Sequence, residues 1–486
     1  MFLAGCTVGP DFERPQPPAA SAYRPALETR PAAPAEPQAA VGAGPAREWW
    51  AVFGSRDLDA LVRQALLHNN SLAASNATLA AMMEQVRAVA GRALPQVDAT
   101  ARADQQQINL AAMGFSGFPG LGDLANPEFH LYSVGAGVFY DLDPFGGVRR
   151  QVEQTLASAE AQQRQTEAAH LAVAGQVVNQ VLAIAALRAQ IATAEALLAD
   201  DQRNIDLTRK RHEAGEGTRL DVLNAQAQYM ADRGAIPQLR QQVEEARHLL
   251  AILVGVSPAD LGPTEFDLDR LTLPAAVPVT LPSGLVHKRP DILQAEANLH
   301  AATAAIGVAT ARLYPDITLG ATISQASSDA GNLAKNAFRG YDVFAALSAP
   351  IFHGGTLKAE RRAAVHRARA AAATYRQTVL TAFGQVADLL SALQSDARSV
   401  ANQREAVAVA DQSLRLARRS FAVGNTGILQ VLDAERLFQR ATSDLMAART
   451  RQILNVGRLY VATAGGWTEP APVTAAAASP ATAGGS

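Results

Sequence analysis

The 486-residue sequence has one cysteine, aromatic residues at only 5% and a formal net charge of -2. A lone cysteine excludes a disulfide framework and a cysteine-ligated zinc site. The near-neutral charge excludes a nucleic-acid partner held by phosphate neutralisation; the short basic runs Lys210-Arg211 and Arg361-Arg362 read as solvated helix faces. Few aromatics beside abundant alanine favour closely packed helices over a sandwich of bulky strands. Long apolar runs are missing too. The most apolar candidate, Leu171 to Leu187, contains Gln176, Asn179 and Gln180 and falls short of the roughly 20 residues that a spanning helix needs. Nor is there a catalytic pattern. Gly114-Phe115-Ser116-Gly117 lacks the spacing of a nucleophile elbow, and Gly215-Glu216-Gly217-Thr218 lacks the lysine and preceding strand of a phosphate loop. His212, His248, His300 and His366 lie scattered without HExxH spacing. No catalytic residue, cofactor or metal site is expected.

What the chain does contain is a duplication. Arg211 to Gln228 returns in register as Ser420 to Leu437: Gly215 answers to Gly424, Val222-Leu223 to Val431-Leu432, and Asn224-Ala225 to Asp433-Ala434. Each copy is a glycine-containing turn between long apolar-periodic segments, the bend of a helical hairpin. Before the first turn Val177, Ile184, Ile191, Leu198 and Ile205 recur every seventh residue, and before the second Val386, Leu393, Val400, Val407 and Leu414 do the same. Such a repeat puts one stripe of a helix against supercoiling neighbours. The companion stripe is mixed (Val173, Gln180, Leu187, Ala194, Asp201), so the seam is not a dry two-stranded one.

Around each hairpin the same order recurs: helix, strand, strand, long helix, bend, helix. Val97, Ala99, Ala101 and Ala103 alternate with Asp98, Thr100, Arg102 and Asp104, and Ile317, Leu319, Ala321 and Ile323 alternate with Asp316, Thr318, Gly320 and Thr322. That is the period of a strand with one apolar and one polar face. The domains expected are a first repeat over 47–256 (strands about 96–106 and 130–141, bend about 213–219), a linker over 257–283, and a second repeat over 284–466 (strands about 316–326 and 341–351, bend about 422–428). An extended Pro/Ala-rich arm, 6–46, precedes them, and a tail, 467–486, follows. A Gly/Phe-rich loop after Gly114 interrupts the first strand pair.

Leu3-Ala4-Gly5-Cys6 resembles a bacterial lipobox, with 1–5 as the remnant of a signal peptide and Cys6 as a lipidated N-terminus. Half-apolar strands in a lipid-tethered chain imply a membrane β-barrel. Four strands cannot close one, so several chains must contribute, and three would supply about twelve strands. The long helices, roughly 65 residues each, would reach about 100 Å, beyond any globular need.

CTVGPDFERP, EWWAVFG, HKRPDI, ARLYPDITL and IFHGG, in this order from Cys6 towards Gly466, resemble the recurring segments of the NodT-like outer-membrane efflux lipoproteins. The resemblance implies an α+β membrane protein of the bacterial outer membrane, a trimer with a twelve-stranded barrel, a periplasmic α-helical barrel and an equatorial domain built from the terminal segments and the linker. Its partners would be a periplasmic adaptor, an inner-membrane RND-type transporter and outer-membrane lipid. By the same resemblance the bends face the adaptor, at Gly215, Gly217, Thr218, Arg219, Leu220 and Asp221 in the first and Gly424, Asn425, Thr426 and Gly427 in the second. A closing constriction falls on Leu429 and Asp433, its network arginine on Arg436, and its aromatic member, usually tyrosine, on Phe421, which lacks the hydroxyl. A periplasmic adaptor lipoprotein is the alternative, although one hairpin rather than two is expected there. For Leu220, Val222, Leu223, Val431 and Leu432 taken singly, plain helix packing is the expectation.

Overall fold

The computed structural model describes residues 7–16, 22–23, 38–42, 44–107, 128–263 and 265–464. Cys6 with residues 1–5, the Gly/Phe loop and the tail 467–486 lie outside the described residues. In chain order the elements are β1 (Gln38–Val41), α1 (Arg56–His68), α2 (Asn70–Gly91), β2 (Gln96–Gln107), β3 (Glu128–Asp141), α3 (Gly147–Glu213), α4 (Arg219–Val254), β4 (Ala276–Val279), α5 (Pro282–Val286), α6 (Pro290–Ala311), β5 (Asp316–Ser327), β6 (Arg339–Ser348), α7 (Thr356–Ala422) and α8 (Ile428–Thr463). The duplication is exact in helix length: α3 and α7 each have 67 residues, α4 and α8 each 36.

Two compact units emerge. The first comprises residues 1–14, 80–161 and 296–374, the second 15–79, 162–295 and 375–486. In the first unit β2, β3, β5 and β6 form one antiparallel sheet in that order. Both hairpin registers and the β3–β5 junction bring the apolar positions onto the same rungs, as in Val97–Val138–Ala321–Val343 and Ala99–Ala136–Ile323–Tyr341. The other face carries Asp98–Gly137–Thr322–Asp342 and Thr100–Gly135–Ser324–Gly340. On that face the Phe139 and Phe344 rings lie over Gly137 and Gly320, leaving no room for a Cβ at either glycine. Strand β6 stops at Ser348 rather than at the expected 351 because Ser348 already pairs with Asp316, the first residue of β5. Pro350 beyond it has no N–H to donate.

The second unit holds the principal core, where residues of α1, α3, α4, α7 and α8 cluster around Trp49, Trp50 and Phe53. Ser55 caps α1 by accepting from the Leu58 N–H, and Leu58, Val62 and Ala65 are buried at helical spacing. Both heptad stripes point inward at Val177, Ile184 and Ile205 and at Val386, Leu393, Val400 and Leu414. By length and composition α3 contains a stretch apolar enough to cross a membrane, yet its Val177, Val178, Val181, Leu182 and Ile184 are packed in this core. Sequence reasoning missed one pairing: β1, in the arm, lies parallel to β4, in the linker. Four-residue strands are too short for alternation to reveal.

Candidate functional site

Both candidate bends lie in the second unit and close alike. Gly215 (φ 79) and Gly424 (φ 80) adopt the left-handed conformation. The Glu216 N–H donates to the Arg211 carbonyl (2.8 Å) and the Asn425 N–H to the Ser420 carbonyl (2.9 Å), the closure a glycine permits after the last helical turn. Restart differs between the copies. Thr218 and Asp221 form a capping box on α4, whereas Gly427 begins α8 with no side-chain cap.

Among the expected adaptor-facing residues, Thr218 and Asp221 are therefore tied to each other. Gly215, Arg219, Leu220, Gly424, Asn425 and Gly427 are exposed, and Gly217 and Thr426 are half-buried. The expectation of plain packing holds for Val431 and Leu432, which are buried, and fails for Leu220, which is 64% exposed, and for exposed Leu223. Val222 is half-buried, so at the duplicated Val-Leu pair only Leu223 of the first bend faces outward, where Val431 and Leu432 of the second are both packed.

The bends are joined by Arg211. Its guanidinium lies 4.6 Å from the Phe421 ring centroid, and Nη1 donates to the Phe421 carbonyl (2.6 Å). This corrects the reading of Lys210-Arg211 as a solvated face: the fold brings a ring and an orphan carbonyl beside Arg211, and a guanidinium satisfies both. Phe421 itself is buried with Leu414, Ile428, Val431, Leu432 and Ala434, so the ring packs without needing a hydroxyl.

Leu429, Asp433 and Arg436 are brought together on one exposed stripe of α8, with Leu429 56% exposed. Arg436 Nη1 lies 3.7 Å from Asp433 Oδ1, and Arg436 Nε donates to Gln228 Oε1 of α4 (2.9 Å). Gln228 Nε2 in turn donates to Asp232 (2.7 Å), which also accepts from Gln439 (3.1 Å). Phe421 stands apart from this stripe.

Behind it lies a buried polar layer that sequence reasoning did not single out. Glu435, 1% exposed, accepts from Asn204 Nδ2 (2.5 Å) and Arg418 Nη2 (2.7 Å), and Arg418 also reaches Asp200 (2.8 Å). Burial pushes the Glu435 carboxyl up, against the pull of Arg418 and Asn204. A signal was present, since Glu435 continues the Ile428, Val431, Leu432 stripe at helical spacing, and Asp201 sits in the mixed heptad stripe of α3.

In the first unit, residues 7–14 are pinned to the helices that flank the sheet. The Val8 N–H donates to the Phe145 carbonyl (3.1 Å). Buried Arg150 binds Asp11 (2.6 Å), Glu153 (2.7 Å) and the Val8 carbonyl (3.2 Å). Phe12 stacks on His300 at 4.4 Å, and Arg14 pairs with Glu296 at 2.6 Å.

Comparison with known proteins agrees with this geometry. The family model for "Outer membrane efflux protein" matches residues 61–256 and 281–465, the two repeats. The pyoverdine export outer membrane protein OpmQ of Pseudomonas aeruginosa is 32% identical over 87% of this chain and 88% of its own length. The toluene efflux pump outer membrane protein TtgC of Pseudomonas putida is 31% identical over 96% of this chain and 94% of its own. Among solved structures, the outer-membrane channel OprN superposes with a TM-score of 0.84 at 28% identity, covering 95% of this chain and 100% of that one.

Proposed function

The chain belongs to the outer membrane efflux protein family and is the outer-membrane channel component of a tripartite efflux system, not a periplasmic adaptor; from that premise we propose how its residues divide the work. Three copies close a barrel of about twelve strands, with the apolar rungs toward lipid and the polar rungs toward the pore. The observation that carries this is the register. Val97, Val138, Ala321 and Val343, with Ala99, Ala136 and Ile323, share one face across the four strands, although β3 and β6 also carry Phe139 and Phe344 on the other. On the apolar face Tyr140 stands at one end, Tyr132 at the other and Tyr341 midway. Tyr132 and Tyr140 stand eight positions apart, about 26 Å along the strand and about 20 Å of height at a barrel tilt of about 40°, which fits within the apolar band of about 25 Å in outer-membrane barrels.

The paired hairpins form the periplasmic part, and their bends receive a periplasmic adaptor coupled to an RND-type transporter in the inner membrane. Exposed Leu220, Leu223, Val423 and Leu429 support a protein-docking role, because apolar side chains clustered at exposed turns seek cover. Leu429 and Asp433 supply the closing collar, with three copies of each around the axis: the leucines add an apolar constriction and the carboxylates favour cations. Cys6 carries covalent lipid. Support comes from Val8, bonded at Phe145, where β3 passes into α3 at the end of the apolar face. Relatives of nearly equal similarity are named for pyoverdine and for toluene, so cargo is chosen by the pump rather than by the duct.

Single-channel conductance of the reconstituted trimer tests the gate. Leu429→Ala is expected to raise conductance severalfold, Asp433→Ala to reduce cation preference, and the double variant to do both. Unchanged currents in all three would reject this assignment.

A further inference from the structure

Asp201 is 1% exposed, and among the described residues no donor reaches either of its carboxyl oxygens. Its acidic neighbours are Glu435 of α8 and Asp232 of α4. Two ionised carboxylates cannot bond to each other; a bond between them needs one proton. The surrounding charges make the need plain. Helix α3 also contributes Asp200 and Arg203, which pair with each other. Helix α8 contributes Glu435, and α7 contributes Arg418, already shared between Glu435 and Asp200. Gln228 and Gln439 each donate to Asp232 alone. With every acid ionised the layer would hold four negative charges, Asp200, Asp201, Asp232 and Glu435, against the two positive charges of Arg203 and Arg418. A cavity of about 190 Å³ whose lining includes Asp200, Arg203, Asn204 and Arg418 opens beside the Arg418 end of the layer.

We propose that Asp201 and Asp232 share a single proton that holds the two hairpins in their closed packing, and that its loss loosens the gate. The route to the pore is on the page: Asp232 accepts from Gln228, Gln228 accepts from Arg436, and Arg436 faces Asp433. A second negative charge at Asp201 repels Asp232 and Glu435, pushing α3 from α4 and α8 and straining the Gln228–Arg436 bond. The proposal rests on the channel reading and on the gate's place at the second bend.

Its direction follows from linkage. Burial pushes the Asp201 carboxyl up to about 7, the negative charges of Glu435 and Asp232 add to this, and Arg418 opposes it. A carboxyl raised in the folded chain keeps its proton where an unfolded one has lost it. Its stabilisation is therefore full below the ordinary carboxylate value of about 4 and is lost as pH rises through about 7. Acid closes; alkali loosens.

Conductance of the reconstituted trimer from about pH 6 to about pH 8 is the test. Open occupancy of the natural protein is expected to rise across this range. Asp201→Asn, whose amide can donate to Asp232 at any pH, should stay at the low, closed value throughout. A flat natural profile, or a transition retained in Asp201→Asn, would overturn the inference. Absence of current at every pH would instead reject the channel reading. If Asp201→Asn yields no heat-labile trimer, infrared titration of the natural trimer decides. A protonated-carboxyl band lost near pH 7 supports the shared proton, and no such band at about pH 6 rejects it.

Discussion

At the scale of the residue, Arg211 and Phe421 set how the bends meet. The ring is buried in its own apolar cluster, so Phe421→Ala leaves a cavity and is expected to cost about 3–5 kcal/mol locally. Arg211→Ala removes a cation–π contact and one hydrogen bond to a carbonyl, about 1–2 kcal/mol together. Hydrogen exchange of the amides around both bends should rank the two variants in that order. Equal protection in all three proteins would remove Arg211 from its bridging role. Phe421 was legible as a position of interest, and its company was not: the seven-residue spacing aligns residues along one helix, while Arg211 lies some 210 positions away. Asp201 was legible in the same partial way, an acid in an otherwise small or apolar stripe. That its neighbour would be a second acid required the packing of α4 against α3.

The bends and strands are where local chemistry decides most. Gly424 holds φ 80, so Gly424→Val should cost about 1–2 kcal/mol through strain at the left-handed position. Gly427 has an ordinary φ of -80 and no side-chain cap, so Gly427→Ser should change stability by only a few tenths of a kcal/mol. Thermal unfolding of the two variants beside the natural protein checks the contrast, and equal losses would mean that the turn is not held by its glycine. Bend positions were readable because a glycine after a helix has few other uses. The strand ends were less so: alternation runs on to Ile351, but a ladder ends where its partner ends, at Asp316.

For the whole molecule, neighbouring residues of one strand should behave as opposites. Ile323 lies on the apolar face and Thr322 on the polar one. Ile323→Arg is expected to cost about 2–4 kcal/mol in the membrane and to deplete the heat-labile trimer from outer-membrane fractions, while Thr322→Arg should keep the trimer and lower cation conductance. Reversed effects would turn the sheet inside out. The alternation along the strands, the duplication, the four strands, the reach of the helices and both bends were determined by the sequence alone, because period, glycine placement and repeat length are properties of the chain itself. Tertiary structure alone decided the β1–β4 pairing, the bridge from Arg211 to Phe421, the pinning of the arm by Arg150, and the meeting of Asp201 with Asp232 and Glu435. Each of these joins residues far apart in the chain, and which of them meet depends on how whole helices pack, a choice that no local pattern encodes.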